Sequence, residues 1–164
     1  MHQINTDRKI TLMEFNWDHP ENCIYYLMSR VTLSVTSILK KKFIQAKMAH
    51  VKPAYLGVLL SLWNNDGSKV VDLGRSAGLE PSTMTGLLDR MERDGLVSRM
   101  ADPNDRRAQR IVLTQTGRDV QQPIRRIVEI TLESVFEGID DEEISKTSDF
   151  FRRVLTNVHK GNKQ

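Results

Sequence analysis

The sequence predicts a mainly α-helical protein with one small antiparallel β-hairpin. Three observations lead there. In the long segments on either side of the centre, apolar residues recur every three or four positions, the spacing of an amphipathic helix. Between them, strand-like runs at 96–100 and 110–113 flank a polar stretch at 101–109. Glycine, proline and Asx residues punctuate the chain where one pattern gives way to the next.

In order, residues 1–16 read as an arm. Its Leu12, Met13 and Phe15 either pack on a partner subunit or belong to a terminus without fixed structure. Pro20 opens a long helix to about residue 46, with Ile24, Met28, Val31, Val35, Ile38 and Leu39 as its apolar seam. Residues 45–52 connect to a helix that starts at Pro53 and is almost wholly apolar to Trp63, hence buried. Asn64-Asn65-Asp66-Gly67 is a turn, and Ser68 has the chemistry of an N-cap for the next helix, with Val70, Val71, Leu73 and Ala77. Gly78 closes that helix.

Pro81 starts the following helix, since proline at the first helical position has no N–H to waste. Gly95 ends it, because glycine tolerates the left-handed closing conformation. Met84, Leu87, Leu88 and Met91 form its apolar stripe. Ser82, Thr85, Gly86, Asp89 and Arg93 fall on the opposite side. A helix with a buried stripe and short hydrogen-bonding residues on its outer face suits a DNA major groove. Asp102-Pro103-Asn104-Asp105 is turn chemistry at the hairpin tip. Arg106, Arg107 and Arg110 follow, with Arg99 on the other strand. Adjacent arginines on a protruding tip suit phosphates or a narrow minor groove. Asp105 can pair with one of them and hold its fork. Thr114 caps a further helix to about residue 137, where Pro123 predicts a kink or a late start and Gly138 the end. A last helix begins at Ile139-Asp140-Asp141-Glu142-Glu143, its acids gathered at the positive end of the helix dipole. Ile144, Phe150, Phe151, Val154, Leu155 and Val158 form its apolar side, and the tail from Lys160 is polar.

The stretch Leu79-Glu80-Pro81-Ser82-Thr83-Met84-Thr85-Gly86-Leu87-Leu88-Asp89-Arg90, then Gly95-Leu96-Val97-Ser98-Arg99, Asp102-Pro103-Asn104-Asp105-Arg106-Arg107 and Val112-Leu113-Thr114 before Gly117 resembles the MarR family of bacterial winged helix-turn-helix regulators. The motif-bearing part spans roughly residues 53–117. The resemblance implies a fold that is mainly α with a small antiparallel β-wing. In it, residues 53–117 are the winged helix-turn-helix DNA-binding region. Residues 1–52 and 118–164 are the helical dimerisation region of one intertwined domain. It further implies a homodimer on a pseudo-palindromic operator in double-stranded DNA, usually a repressor. Many members release DNA when a small anionic or aromatic effector, or an oxidant, acts on them. That effector would sit between the dimerisation helices and the winged region.

Carried onto this chain, the recognition-helix candidates are Ser82, Thr83, Thr85, Gly86 and Arg90. Ser82 and Thr85 lie on the outer face, whereas Thr83 can equally serve the first helical turn. Glycine inside a helix costs about 1 kcal/mol relative to alanine, so Gly86 either admits DNA closely or is simply tolerated. The wing candidates are Asp105, Arg106, Arg107 and Arg110. Arg107 matches the wing arginine that enters the minor groove in family members, and Arg106 and Arg110 are read as phosphate contacts. Arg90 can contact phosphate or brace the wing through Asp105. Lys69 and Arg75 are DNA-backbone candidates on the helix that crosses the strand, or else ordinary surface charge.

Composition narrows the classes. The chain has 164 residues and net charge +3, which fits one domain with a real core. Residues 66–118 carry nine basic and eight acidic residues, so any positive field is local to the wing. No apolar run approaches the ~18 residues of a membrane span, and the N-terminus lacks the apolar centre of a secretion signal. A lone cysteine, Cys23, excludes an internal disulfide framework and fits a reducing cytoplasm. Four scattered histidines, His2, His19, His50 and His159, show no metal-ligand spacing, so neither metal nor cofactor is expected. No Ser/His/Asp or Cys/His order and no glycine-rich phosphate loop stands out, which speaks against an enzyme. Two other readings remain. One is an oxidant sensor of the same fold using Cys23, which lies roughly where one branch of the family keeps its sensing cysteine. The other is a winged-helix protein-interaction module without an operator.

Overall fold

The computed structural model describes residues 19–161. The arm at 1–16 and the last three residues lie outside that range. The described chain divides into two compact units, one ending at Val128 and one beginning at Glu129.

The first unit opens with a 3₁₀ turn, Pro20–Asn22, and then α1, Ile24–Gln45. The predicted helix from Pro20 is thus split, because Cys23 sits in an extended conformation at the N-cap. A second 3₁₀ turn, Pro53–Tyr55, leads into α2, Leu56–Asn64. Val58, Leu59 and Leu62 of α2 are buried, but Leu60 is 49% exposed, so the helix is not covered all round as its composition predicted. A two-residue strand, β1 (Ser68–Lys69), precedes α3 (Val70–Ala77) and α4 (Pro81–Arg93). The wing is β2 (Val97–Asp102) and β3 (Asp105–Leu113), with sheet order β1-β3-β2, all antiparallel.

Ser68 is therefore not the predicted N-cap. It pairs with Ile111 while Lys69 pairs with Arg110. The Ser68 hydroxyl donates to the Asn65 carbonyl at 2.7 Å, and α3 starts without a side-chain cap. Two residues are too few to show a strand's alternation, so the sequence carried no sign of β1. The wing strands also run further than predicted. They meet at Pro103-Asn104, with a register irregularity at Ala101/Asp102, so most of the expected polar tip is ladder.

The core gathers around α4. Met84, Leu87, Leu88 and Met91, the predicted stripe, are all buried. They pack with Phe43 of α1, Leu59 and Leu62 of α2, Leu73 of α3 and Ile111 of β3. Gly78 and Gly95 close α3 and α4 at φ 65° and 74°, the left-handed values that favour glycine.

After the wing, Thr114 caps α5 (Gln115–Asp119) as predicted, its hydroxyl oxygen accepting the Gly117 N–H at 3.0 Å. The single helix expected to residue 137 is instead two. It breaks at Val120, and α6 runs Gln121–Val135. Pro123 falls in the first turn of α6, where a missing N–H costs no helical hydrogen bond.

The second unit contains the end of α6, the left-handed Gly138 and α7, Asp141–Gly161. Asp140 caps α7, accepting the Glu143 N–H at 2.8 Å. Among the described residues, no helix is long and apolar enough to cross a membrane.

Candidate nucleic-acid interface

The helix that presents the outer face is held from three sides. Its start follows a tight link in which Leu79 N–H reaches the Gly74 carbonyl at 2.9 Å. Its apolar stripe is the core. Its end is tied to the 3₁₀ turn that leads into α2, where the Tyr55 hydroxyl donates to Asp94 Oδ2 at 2.7 Å. Tyr55 is buried, and burial, then the Asp94 hydrogen bond, pushes its phenol up to about 12.

This raised value has a signed consequence. The neutral phenol is the form the native state prefers, so its contribution is complete below the unfolded tyrosine value of about 10. It is lost as pH rises from about 10 to 12. An ultraviolet titration is expected to show one of the three tyrosines ionising near 12. Tyr55→Phe should abolish that late phase and lower stability by ~1 kcal/mol at neutral pH, the usual size of one hydrogen bond. A titration in which Tyr55→Phe keeps the late phase would contradict the assignment.

Ser82, Thr83 and Thr85 are exposed, while the Thr85 hydroxyl donates back to the Pro81 carbonyl at 3.0 Å. Gly86 faces open space on the protein side: a Cβ there would meet only Arg90 Nη1, at 3.7 Å. Among the described residues, no contact requires glycine at this position. Gly86→Ala is accordingly expected to stabilise the free protein, by up to ~1 kcal/mol from helix propensity. If the glycine admits DNA closely, the same variant binds DNA more weakly. Thermal melts read the first effect and anisotropy on a duplex the second. A destabilised variant would show that Gly86 serves the fold. Arg90 and Arg93 are exposed on the last turns of α4.

The wing is anchored at two levels. Asp102 is a buried carboxylate at the tip. Its Oδ1 accepts the Asn104 N–H at 2.8 Å, closing the turn. Its Oδ2 accepts Arg110 Nε at 3.0 Å and lies 3.5 Å from Lys69 Nζ. The Asn104 N–H, with the Arg110 and Lys69 cations behind it, holds the Asp102 carboxyl below the ordinary carboxylate range. At the base, Asp66 Oδ1 accepts the Leu113 N–H at 2.8 Å, and Asp66 Oδ2 accepts Arg118 Nη2 at 2.6 Å.

These anchors sort the predicted residues. Arg110 is half-buried and also donates to the Gly67 carbonyl at 3.1 Å, so it and Lys69 hold the wing to β1. Among the described residues, Arg75 pairs with Asp72 at 3.6 Å, an exposed pair of the kind that contributes little. Arg106 and Arg107 stand on β3 directly after the tip, and Asp105 pairs in register with Asp102. Sequence reading missed Asp102 and Asp66 as organising carboxylates. Their only signal was a position beside a proline or glycine turn, which many Asp residues share. Cys23 is partly exposed ahead of α1. No group of three or more His, Cys, Asp or Glu side chains able to hold a metal occurs among the described residues.

Comparison with known proteins agrees with this arrangement. A family model described as the MarR family matches residues 51–108, which cover α2, α3, α4 and the wing through its tip. A MarR family transcriptional regulator from Silicibacter pomeroyi is 28% identical, with TM-score 0.66, covering 84% of this chain and 91% of that one. CouR from Rhodococcus jostii RHA1, solved with p-coumaroyl-CoA bound, is 29% identical, with TM-score 0.68 and coverage of 80% and 90%. The transcriptional repressor CouR on a 23-mer DNA duplex matches the fold with TM-score 0.73 at 21% identity, covering 87% and 99%. The family match falls on the very elements that present the outer face of α4 and the arginine-bearing wing, and the fold extends over nearly the full length of these regulators: the chain is similar to the MarR family of transcriptional regulators over residues 51–108 and shares the fold of its solved members.

Proposed function

We propose that this chain works in the cytoplasm as a homodimeric repressor on a pseudo-palindromic operator, released by a small anionic or aromatic effector. The observation that carries the DNA half is the pairing of two elements within one compact unit. One is a helix whose outer face offers Ser82, Thr83, Thr85 and Gly86; the other is a hairpin with Arg106 and Arg107 just past its tip. Hydroxyls on the helix reach phosphates and base edges in the major groove, while the wing arginines reach the neighbouring minor groove. Arg90 supplies a further phosphate contact, and Arg75 a weaker one from α3. CouR's structure on a DNA duplex supports this reading.

Dimerisation is supported by apolar side chains that the described chain leaves uncovered. On α1, Ile24, Leu27 and Val31 are exposed although they continue the seam that ends in buried Leu39 and Phe43. In the second unit, Phe150, Phe151, Leu155 and Val158 are exposed along α7. Two such surfaces on a single protomer suit a self-complementary interface with two-fold symmetry. Residues 1–52 and 118–164 are the proposed dimerisation region around the DNA-binding region at 53–117. CouR's bound p-coumaroyl-CoA supports a small-molecule effector.

The test is a genomic selection of bound fragments, followed by anisotropy on the recovered duplex. The expected result is a symmetric site with half-sites about one helical turn apart, taking up two chains. Fragments without a shared sequence, and binding no tighter than to random DNA, would leave the protein-interaction reading in its place.

A further inference from the structure

We infer that Arg99 is a positioning residue for DNA binding, locking the wing to the recognition helix so that both elements dock on the duplex as one rigid piece. This rests on the DNA-binding reading of α4 and the wing given above.

Arg99 sits on β2 directly opposite Ile111 of β3. Opposed residues of an antiparallel pair project from the same face of the sheet. Ile111 is fully buried on that face, and Arg99 follows it inward, leaving its side chain 22% exposed. From there the guanidinium reaches α4 rather than solvent. Its Nη2 donates to Asp89 Oδ1 at 2.5 Å and its Nη1 to Glu92 Oε2. The Arg99 backbone N–H adds a bond to Glu92 Oε1 at 3.2 Å. One planar fork thus grips two carboxylates that stand three residues apart on a helix, a geometry lysine cannot reproduce.

The location gives the grip its meaning. Asp89 continues the outer face that begins with Ser82, Thr85 and Gly86. A carboxylate there would meet the phosphate backbone with the wrong charge. Arg99 approaches from the wing strand, cancels it, and in the same contact fixes the angle between hairpin and helix. Arg99 itself is turned away from the groove and is spent on carboxylates, so it makes no phosphate contact of its own.

Charge and geometry make opposite predictions for one variant. Removing two negative charges beside a polyanion, as in Asp89→Asn/Glu92→Gln, should tighten binding if only charge matters. The latch predicts weaker binding, by about fivefold, the scale of one well-formed pair near the surface. Arg99→Ala should weaken binding by about tenfold or more, since it also bares Asp89 to the phosphates. Arg99→Lys should stay well below wild type. In all three the salt dependence should keep the wild-type slope, because no phosphate contact is removed.

The measurement is anisotropy across a salt series on a duplex recovered by genomic selection, with thermal melts confirming each variant is folded. Asp89 and Glu92 are exposed, so their double variant remains informative if Arg99→Ala fails to fold. If wild type binds and the double variant binds equally or more tightly, the latch is wrong while the DNA-binding reading stands. Arg99→Lys at wild-type affinity, or an Arg99→Ala slope reduced by about one, also overturns it. A wild type that selects no duplex overturns the DNA-binding reading, and the latch with it.

Discussion

Arg107→Ala is expected to weaken operator binding about 10- to 100-fold, ~1.4–2.8 kcal/mol, and to lower the salt slope by about one. The residue stands on β3 just past the two-residue tip, on a hairpin anchored through Asp102 to β1 and through Asp66 to the strand's end. A hairpin so fixed does not need to be ordered on binding, so the free energy of its contacts is not offset by ordering entropy. The narrow minor groove concentrates negative potential, which is why one arginine there carries more than an exposed ion pair elsewhere. Anisotropy of a labelled operator duplex, wild type against variant, reads both quantities. Unchanged affinity on a duplex that wild type binds specifically would remove the wing tip from the interface. Reduced affinity with an unchanged slope would instead mark Arg107 as a structural part of the wing.

Gly117→Ala should be the most damaging small substitution in the winged region. A Cβ at this position would lie 2.1 Å from the Leu96 carbonyl oxygen and 3.1 Å from Leu113 Cδ2. The carbonyl cannot easily give way, because it already accepts the Thr114 N–H at 3.1 Å where the chain leaves the wing. The same glycine offers its own carbonyl to Trp63 Nε1 at 2.9 Å and its N–H to the Thr114 cap. One added methyl therefore disturbs the end of β3, the cap of α5 and the packing of α2 together. A cost of roughly 3 kcal/mol or more is expected, at the upper end of overpacking effects. For a chain of this length that lowers the melting midpoint by about 10 °C. Thermal melts followed by tryptophan emission measure it, since the Trp63 hydrogen bond lies at the site. A midpoint within a degree or two of wild type would mean that the α5 turn can shift without consequence.

The legible parts of the fold share one property: the signal was local. The Met84, Leu87, Leu88 and Met91 stripe lies within two turns, and helix geometry alone puts those four residues on one side. Gly78, Gly95 and Gly138 marked helix ends because left-handed backbone is a requirement of the single residue. Thr114 could be read as a cap for the same reason, since its partner is three residues away. The helix breaks were less legible. Pro123 signalled an interruption but not its place, which proved to be Val120, because proline is as well accommodated in a first turn as after a break.

By itself, the sequence determined the helical class and the order of helices and wing, and it nominated candidate residues for meeting DNA. Only the tertiary structure decided which of those charges are held by carboxylates within the fold. Four cations read as DNA contacts or wing arginines turned out to have carboxylate partners. Lys69 and Arg110 share Asp102, Arg99 holds Asp89 and Glu92, and Arg75 lies beside Asp72. Apart from the pair on α3, each joins residues on different elements, brought together by the packing of β2 and β3 against β1 and α4. An ion pair is a statement about distance in space, and a near-neutral stretch of chain can present either sign until its neighbours are known. The reason is physical: helix and turn chemistry acts over four residues, whereas electrostatics acts over ångströms, whatever the separation in sequence.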